Sequence, residues 1–169
     1  ADLLYPNGGG IVWNHPSLGS QTISAFFKDF LDHDDRVLGL EVYNHLAEWN
    51  YGNQGWALQQ WHQMMVTGRR CFGFFTLDHW FLVPGHPAAA GVNRLLVPAA
   101  YSGQNRAQRE QALMEAYREG RFYGVVDFGS PTLVDFTADA TEVTVEFGTS
   151  CDITFVWARK GDPGARTSV

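Results

Sequence analysis

Four side chains of the types that bind metal ions or move protons stand at or near the ends of short apolar runs in the first half of the chain. They are His15, Glu41, Asp78 and His79. Imidazole nitrogen combined with carboxylate oxygen suits zinc, manganese or iron, whereas an all-oxygen set suits magnesium or calcium. The sequence therefore predicts a divalent metal site of the Zn, Mn or Fe type where these runs come together.

Each of these side chains also has an ordinary structural interpretation. His15 would cap the turn before Pro16, Glu41 would pair with an arginine, and Asp78 with His79 would form a loop. The coincidence of ligand-type residues at three strand ends favours a functional site over these alternatives.

Two asparagines adjoin the candidate ligands. Asn14 precedes His15, and Asn44 follows the run that contains Glu41. We expect both asparagines to contact a substrate.

The apolar runs at 11–13, 37–43 and 71–77 are typical of buried strands. Between them, apolar residues recur every three or four positions over 23–31 and 56–65, as on an amphipathic helix. Helical connections of this length favour right-handed crossovers between parallel strands, whose carboxyl ends meet at one edge of the sheet. The candidate side chains are therefore expected to converge at that edge.

The remainder of the chain shows a different pattern. We predict loops over 44–55 and 81–102, and a third helix that begins at Asn105, has Gln108 in a capping-box position and ends at Gly120. Short strands separated by turn residues are predicted beyond this helix, at 123–128, 132–136, 141–147 and 153–157. They predict a small antiparallel sheet that is followed by a frayed tail.

Composition and charge exclude several classes of function. The 169 residues carry 12 Lys and Arg against 18 Asp and Glu, a net charge of -6, and show no basic stripe, so nucleic-acid binding is not expected. No apolar stretch approaches the roughly 18 residues of a membrane span, so we expect a soluble protein without a membrane partner and in an undetermined compartment. Because the first residue is Ala1 rather than Met, a processed or truncated N-terminus is expected.

Nucleophilic and phosphate-loop chemistry lack their sequence signatures. The chain contains neither a Gly-x-Ser-x-Gly elbow nor a Gly-rich loop ending in Gly-Lys-Ser or Gly-Lys-Thr. Cys71 and Cys151 lie eighty positions apart with no Cys-x-x-Cys spacing, so both are interpreted as reduced core residues.

Four segments resemble, in order and spacing, the later part of the PHP superfamily, and among its branches the CehA/McbA-like metallohydrolases. The segments are 11–16, 39–44, 61–69 and 74–79. The helix end at 116–123 is similar to the segment with which that branch leaves its barrel for a β-rich tail.

The resemblance implies an α/β fold containing part of a distorted (β/α) barrel, with two or three divalent metals that activate water against phosphoesters. In this family His15 matches the histidine of the His-Pro segment, Glu41 a bridging carboxylate and Asp78 the aspartate of the closing motif. The implied organisation is a barrel portion at 1–122, an antiparallel β tail at 123–160 and a flexible tail at 161–169. The expected function is a PHP-type metal-dependent hydrolase with a small-molecule substrate.

Two departures from the family pattern leave alternatives open. The chain has no His-x-His pair, and Trp80 stands where the closing motif has its histidine. The metal site would then be reduced or truncated, or the chain would be an inactive relative that binds a small molecule or serves in assembly. A partial barrel exposes a strand edge and an apolar face, which favours a homo-oligomer.

Overall fold

The computed structural model describes residues 9–18, 23, 25–52, 54–78, 91–126, 131–139, 141–152, 155–157, 161 and 166–168. In these ranges the fold is mixed α/β. The elements in chain order are β1 (Ile11–Trp13), α1 (Ala25–His33), β2 (Val37–Asn44), α2 (His45–Tyr51), α3 (Leu58–Met65), β3 (Phe72–Thr76), β4 (Val92–Leu95), a 3₁₀ helix (Ala99–Gly103), α4 (Arg106–Glu119), β5 (Phe122–Val125), β6 (Leu133–Ala138), β7 (Val143–Phe147), β8 (Phe155–Trp157) and β9 (Arg166–Ser168).

A three-stranded parallel sheet in the order β1-β2-β3 forms the centre of the first half. The predicted strands and their parallel arrangement are therefore confirmed. The described strands do not close into a barrel, so the barrel implied by the family resemblance stays a prediction.

The central strand β2 is buried along all eight of its residues, which explains why it is apolar apart from Glu41 and Asn44. The core beside it combines Leu40 and Val42 of β2 with Phe27 of α1 and Met64 of α3. Leu40 and Met64 are completely buried. Both predicted helices thus pack against the sheet and hold the strand ends in place.

The predicted loop over 44–55 is wrong, because residues 45–51 form α2. Asn44 caps this helix, its side chain accepting a hydrogen bond from the backbone N–H of Ala47. The helix has only seven residues and a single buried one, Ala47, so no long apolar stripe marks it in the sequence.

The predicted loop over 81–102 is wrong in its second half, where β4 pairs antiparallel with β5. The Asn93 side chain also accepts from the Phe75 backbone N–H at 3.0 Å and donates to the Phe75 carbonyl at 2.9 Å, which ties β4 to β3. These pairings join residues far apart in sequence and leave no local period. The first half, through residue 90, lies outside the described residues.

The third predicted helix is confirmed as α4. Asn105 and Gln108 form the capping box, and Gly120 ends the helix in the left-handed conformation with φ 71°. A glycine adopts this conformation without the steric penalty of a side chain.

The C-terminal strands pair as the hairpins β6-β7 and β8-β9. The antiparallel character predicted for this region is confirmed, but the single sheet is wrong, because the described strands form the separate pairs β4-β5, β6-β7 and β8-β9. The predicted tail at 161–169 differs from the structure, because residues 166–168 form β9 against β8. The predicted boundary at 122 coincides with the start of β5, which pairs with β4 of the preceding region.

None of the helices in the described part of the chain has the length and apolar character needed to cross a membrane. Both cysteines are free thiols, Cys71 buried as predicted and Cys151 only partly buried.

Gly39 of β2 pairs with Phe72 of β3, and a methyl group at Gly39 would overlap the backbone of Phe72. We expect Gly39→Ala to lower the free energy of unfolding by about 3 kcal/mol or more, because backbone cannot move aside as a side chain can. Gly103→Ala is the matched control, since a methyl group there meets no atom within 4 Å. Urea denaturation measures both, and equal stability of the two variants would contradict the close approach.

Burial raises the pKa of the Cys71 thiol to about 12. At pH 8 its thiolate is then present in about one molecule in ten thousand. We expect a thiol reagent to modify one cysteine per native chain, Cys151, and to modify Cys71 only after unfolding. A native Cys151→Ser variant that still reacted rapidly would show that Cys71 is accessible.

Candidate functional site

Five polar side chains meet at the carboxyl ends of the three parallel strands. This strand-end centre consists of His15, Glu41, Asn44, Thr76 and Asp78. His15 follows β1, Glu41 and Asn44 belong to the last half of β2, Thr76 ends β3 and Asp78 follows it. The structure thus brings together three of the four predicted ligands.

Glu41 lies at the base of the centre and is only 2% exposed. One carboxylate oxygen, Oε1, accepts hydrogen bonds from Thr76 Oγ1 and from Asn44 Nδ2, the latter at 3.1 Å. The other oxygen, Oε2, accepts from the His15 backbone N–H at 2.6 Å. Three donors from three segments therefore compensate the lost hydration of this carboxylate.

His15 and Asp78 face each other above Glu41. His15 Nε2 lies 2.9 Å from Asp78 Oδ2, and the two side chains are 37% and 31% exposed. An ionised carboxylate only accepts hydrogen bonds, so His15 Nε2 is the donor whenever Asp78 is ionised. The pair is therefore ordered by the protein and still open to solvent.

Both members of this pair have left-handed backbone conformations, with φ 55° at His15 and φ 54° at Asp78. They are the only non-glycine residues with positive φ in the described part of the chain. Such a conformation is disfavoured for a residue with a Cβ, at a cost of about 1–3 kcal/mol, and is concentrated at functional sites. It turns the chain at each strand end.

Asn44 connects the two carboxylates to helix α2. Its Nδ2 donates to Glu41 Oε1 and, at 2.9 Å, to Asp78 Oδ2, while its Oδ1 accepts from Ala47 N at 2.7 Å. These bonds leave only one orientation for the amide. With 1% of its surface exposed, Asn44 is a positioning residue in this arrangement, and its contact with a substrate stays a prediction.

Thr76 is the member of the centre that the sequence analysis missed. It is the polar end of an otherwise apolar strand, and its backbone is paired with that of Asn44. The signal in the sequence was a hydroxyl residue near the end of a predicted strand, in the same sheet as Glu41. Asn14, the other predicted substrate contact, is exposed beside His15.

The remaining histidines that the structure describes have other contacts. His33 Nδ1 lies 2.6 Å from the Asp29 carbonyl at the end of α1, and His45 Nδ1 lies 3.0 Å from the Tyr43 hydroxyl. His62 lies within α3. His79, the fourth predicted ligand, lies outside the described residues.

The strand-end centre offers a divalent cation two ligand atoms, a nitrogen of His15 and an oxygen of Asp78. The 2.9 Å between His15 Nε2 and Asp78 Oδ2 is a hydrogen-bond distance. Neighbouring ligands of an ion with bonds of about 2.1 Å lie about 3.0 Å apart in octahedral and about 3.4 Å apart in tetrahedral geometry, so the pair would open slightly to bind zinc. No Lys or Arg is among the contacts described for the centre. Within the described ranges, however, no three or more His, Cys, Asp or Glu side chains form a group that could hold a metal ion.

Glu41 differs from His15 and Asp78 in that it already accepts three hydrogen bonds. A carboxylate has about four acceptor positions, so one remains, on Oε2. The arrangement makes Glu41 a support for His15, and its direct ligation of a metal stays a prediction.

Comparisons with known proteins gave no match to a family model, to a curated protein or to a solved structure. The resemblance to the PHP superfamily therefore stays a prediction. The case for a function depends on the geometry of the strand-end centre.

Asn44→Asp tests how the centre is held together. The new side chain keeps an oxygen to cap α2, but it loses both donors and places a third carboxylate beside Glu41 and Asp78. We expect the free energy of unfolding at pH 8 to fall by about 2–4 kcal/mol.

Asn105→Asp is the matched control for this change. Asn105 also caps a helix through its side-chain oxygen, accepting from Gln108 N at 3.0 Å, but it is exposed and bonded to no carboxylate in the described structure. This variant should retain wild-type stability within about 0.5 kcal/mol. Thermal or urea unfolding that shows equal losses for both variants would contradict a carboxylate-bridging role for Asn44.

Proposed function

We propose that this protein is a metal-dependent hydrolase and that the strand-end centre is its catalytic site. The observation that carries the proposal is the His15–Asp78 pair, held 2.9 Å apart at the carboxyl ends of parallel strands. Two left-handed backbone positions and a buried glutamate keep the pair in place. In parallel α/β architectures, this edge of the sheet is where ligands bind.

His15 and Asp78 would supply two ligands to a zinc, manganese or iron ion, and His79, which follows Asp78 in the sequence, is the candidate for a third. When bound, such an ion lowers the pKa of a coordinated water and stabilises negative charge on a substrate oxygen. The partial exposure of both side chains leaves room for a small molecule above them.

The chain's own groups hold these ligands in position. Glu41 accepts the His15 backbone N–H and so fixes the turn from which the imidazole projects. Asn44 directs Asp78 Oδ2 by donating to it. For a neutral His15 to bind through Nε2, its imidazole proton would lie on Nδ1.

Phosphoesters are the substrate class that the PHP resemblance implies, and we propose them on that basis. The alternative is an inactive relative that uses the same edge for small-molecule binding or for assembly. The observation that favours this alternative is that Glu41 already accepts three hydrogen bonds. Among the described residues of the centre, this leaves His15 and Asp78 as the two available metal ligands.

We expect protein purified without chelator to contain zinc, manganese or iron at about one ion per chain and to hydrolyse bis(p-nitrophenyl) phosphate. His15→Ala and Asp78→Asn should each lower metal affinity and hydrolysis by at least about 10-fold, because each removes a ligand. His33→Ala is the control, since His33 is exposed at the end of α1 and bonded to a backbone carbonyl. Elemental analysis and a rate assay on the four proteins measure both effects.

Metal-free protein that takes up no ion on titration would contradict the hydrolase and leave the binding or assembly alternative. Equal metal loss in His33→Ala and His15→Ala would place the ion elsewhere. If the protein bound metal but did not hydrolyse phosphoesters, the metal site would stand and phosphoesters would be rejected as its substrates.

A further inference from the structure

A second candidate site lies at the opposite end of the parallel strands from the strand-end centre, near the amino ends of β2 and β3. It is a cleft of about 670 Å³, within the range of small-molecule sites. The lining residues come from the end of α1, the turn before β2, the segment before β3 and the last turn of α4. They are Leu31, Asp32, Asp35, Arg36, Val37, Arg69, Arg70 and Arg118.

This arginine cleft concentrates positive charge in an acidic protein. It holds four of the chain's 12 Lys and Arg, whereas the net charge of the chain is -6. Asp32 and Asp35 also line it, and Asp34 pairs with Arg36 beside it, so four arginines meet three aspartates. The cleft thus lacks the negative excess of the whole chain.

Two of the four guanidinium groups are held by paired hydrogen bonds to aspartates. Arg69 donates to both oxygens of Asp32 at 2.6 and 2.5 Å, and Arg36 donates to both oxygens of Asp34 at 2.8 and 2.6 Å. A bidentate pair fixes the plane of the guanidinium group. The two pairs therefore give the cleft a defined shape and neutralise Asp32 and Asp34, whereas Asp35 belongs to neither pair.

Arg70 has no carboxylate among its contacts within the described residues. Its Nη1 donates to the Arg118 carbonyl at 3.3 Å and its Nη2 donates to the Asp35 carbonyl at 3.4 Å. Its guanidinium carbon lies 5.6 Å from the centre of the Phe72 ring. Both bonds are long and go to neutral carbonyls, so they orient the exposed side chain without pairing its charge with a carboxylate.

We propose that the arginine cleft binds the phosphate group of a small molecule, with Arg70 as the principal contact. The planar guanidinium fork matches phosphate oxygens in geometry and charge. The volume exceeds that of phosphate alone, and Leu31 and Val37 provide apolar wall for the rest of the ligand. The arginine cleft shares no residue with the strand-end centre, which lies at the other end of the strands, so phosphate binding in the cleft does not depend on the proposed hydrolase activity.

The test is a calorimetric titration of inorganic pyrophosphate into metal-free protein in chelator, at constant ionic strength. We expect one saturable site in the wild type and in the control Arg106→Gln, because Arg106 is exposed on α4 and pairs with Glu110 away from the cleft. Arg70→Gln should weaken binding at least 10-fold, and Arg70→Lys, which keeps the charge without the fork, should give an intermediate loss. His15→Ala should bind as the wild type does, which separates this site from the catalytic one.

Thermal unfolding verifies that each variant is folded, and Arg118→Gln replaces Arg70→Gln if the latter is not. Absence of saturable binding in the wild type would overturn the proposal. Pyrophosphate affinity within twofold of wild type in the folded cleft variants would overturn it as well. Equal binding of citrate would reject phosphate as the preferred anion.

Discussion

The buried carboxylate of Glu41 is the group on which the arrangement of the strand ends depends. A carboxylate removed from water is strongly destabilising unless hydrogen bonds replace its hydration. Its three donors come from His15, two residues beyond β1, from the end of β2 and from the end of β3. The burial of Glu41 therefore couples the mutual position of the three strand ends to the geometry of the His15–Asp78 pair.

The rest of the fold supplies the rigidity that this arrangement needs. Helices α1 and α3 cover the core beside β2, and Met64 and Leu40 are completely buried there. Asn44 then extends the network by joining both carboxylates to the first turn of α2. Favourable burial beneath the centre can offset two left-handed residues above it, each costing about 1–3 kcal/mol. Stability thus comes from the core beside β2, whereas the strained and partly exposed residues His15 and Asp78 lie at the strand ends.

Much of this arrangement could be predicted from the sequence, because its signals are local. Continuous apolar runs identified the buried parallel strands, and parallel strands place their carboxyl ends together, which predicted that His15, Glu41 and Asp78 would meet. The capping box at Asn105 and the terminal Gly120 bounded α4 in the same way. These features depend on a few adjacent residues and on general rules of chain geometry.

The features that were missed depend on contacts between distant segments. Helix α2 has its cap in a residue that also bridges two carboxylates, and β4 is defined by pairing with β5 and by the Asn93 contacts to Phe75. The hydroxyl of Thr76 acquires its role only from the register of β3 beside β2. Left-handed conformations at two residues with side chains likewise result from tertiary contacts, which no local pattern encodes.

Anomalous diffraction from crystals grown with Mn²⁺ locates a bound ion without reference to activity. We expect a manganese peak within coordination distance of His15 Nε2 and an Asp78 carboxylate oxygen, with Glu41 still accepting the His15 backbone N–H. Saturating Mn²⁺ that gives no peak at the strand-end centre, with the His15–Asp78 hydrogen bond intact, would contradict this expectation.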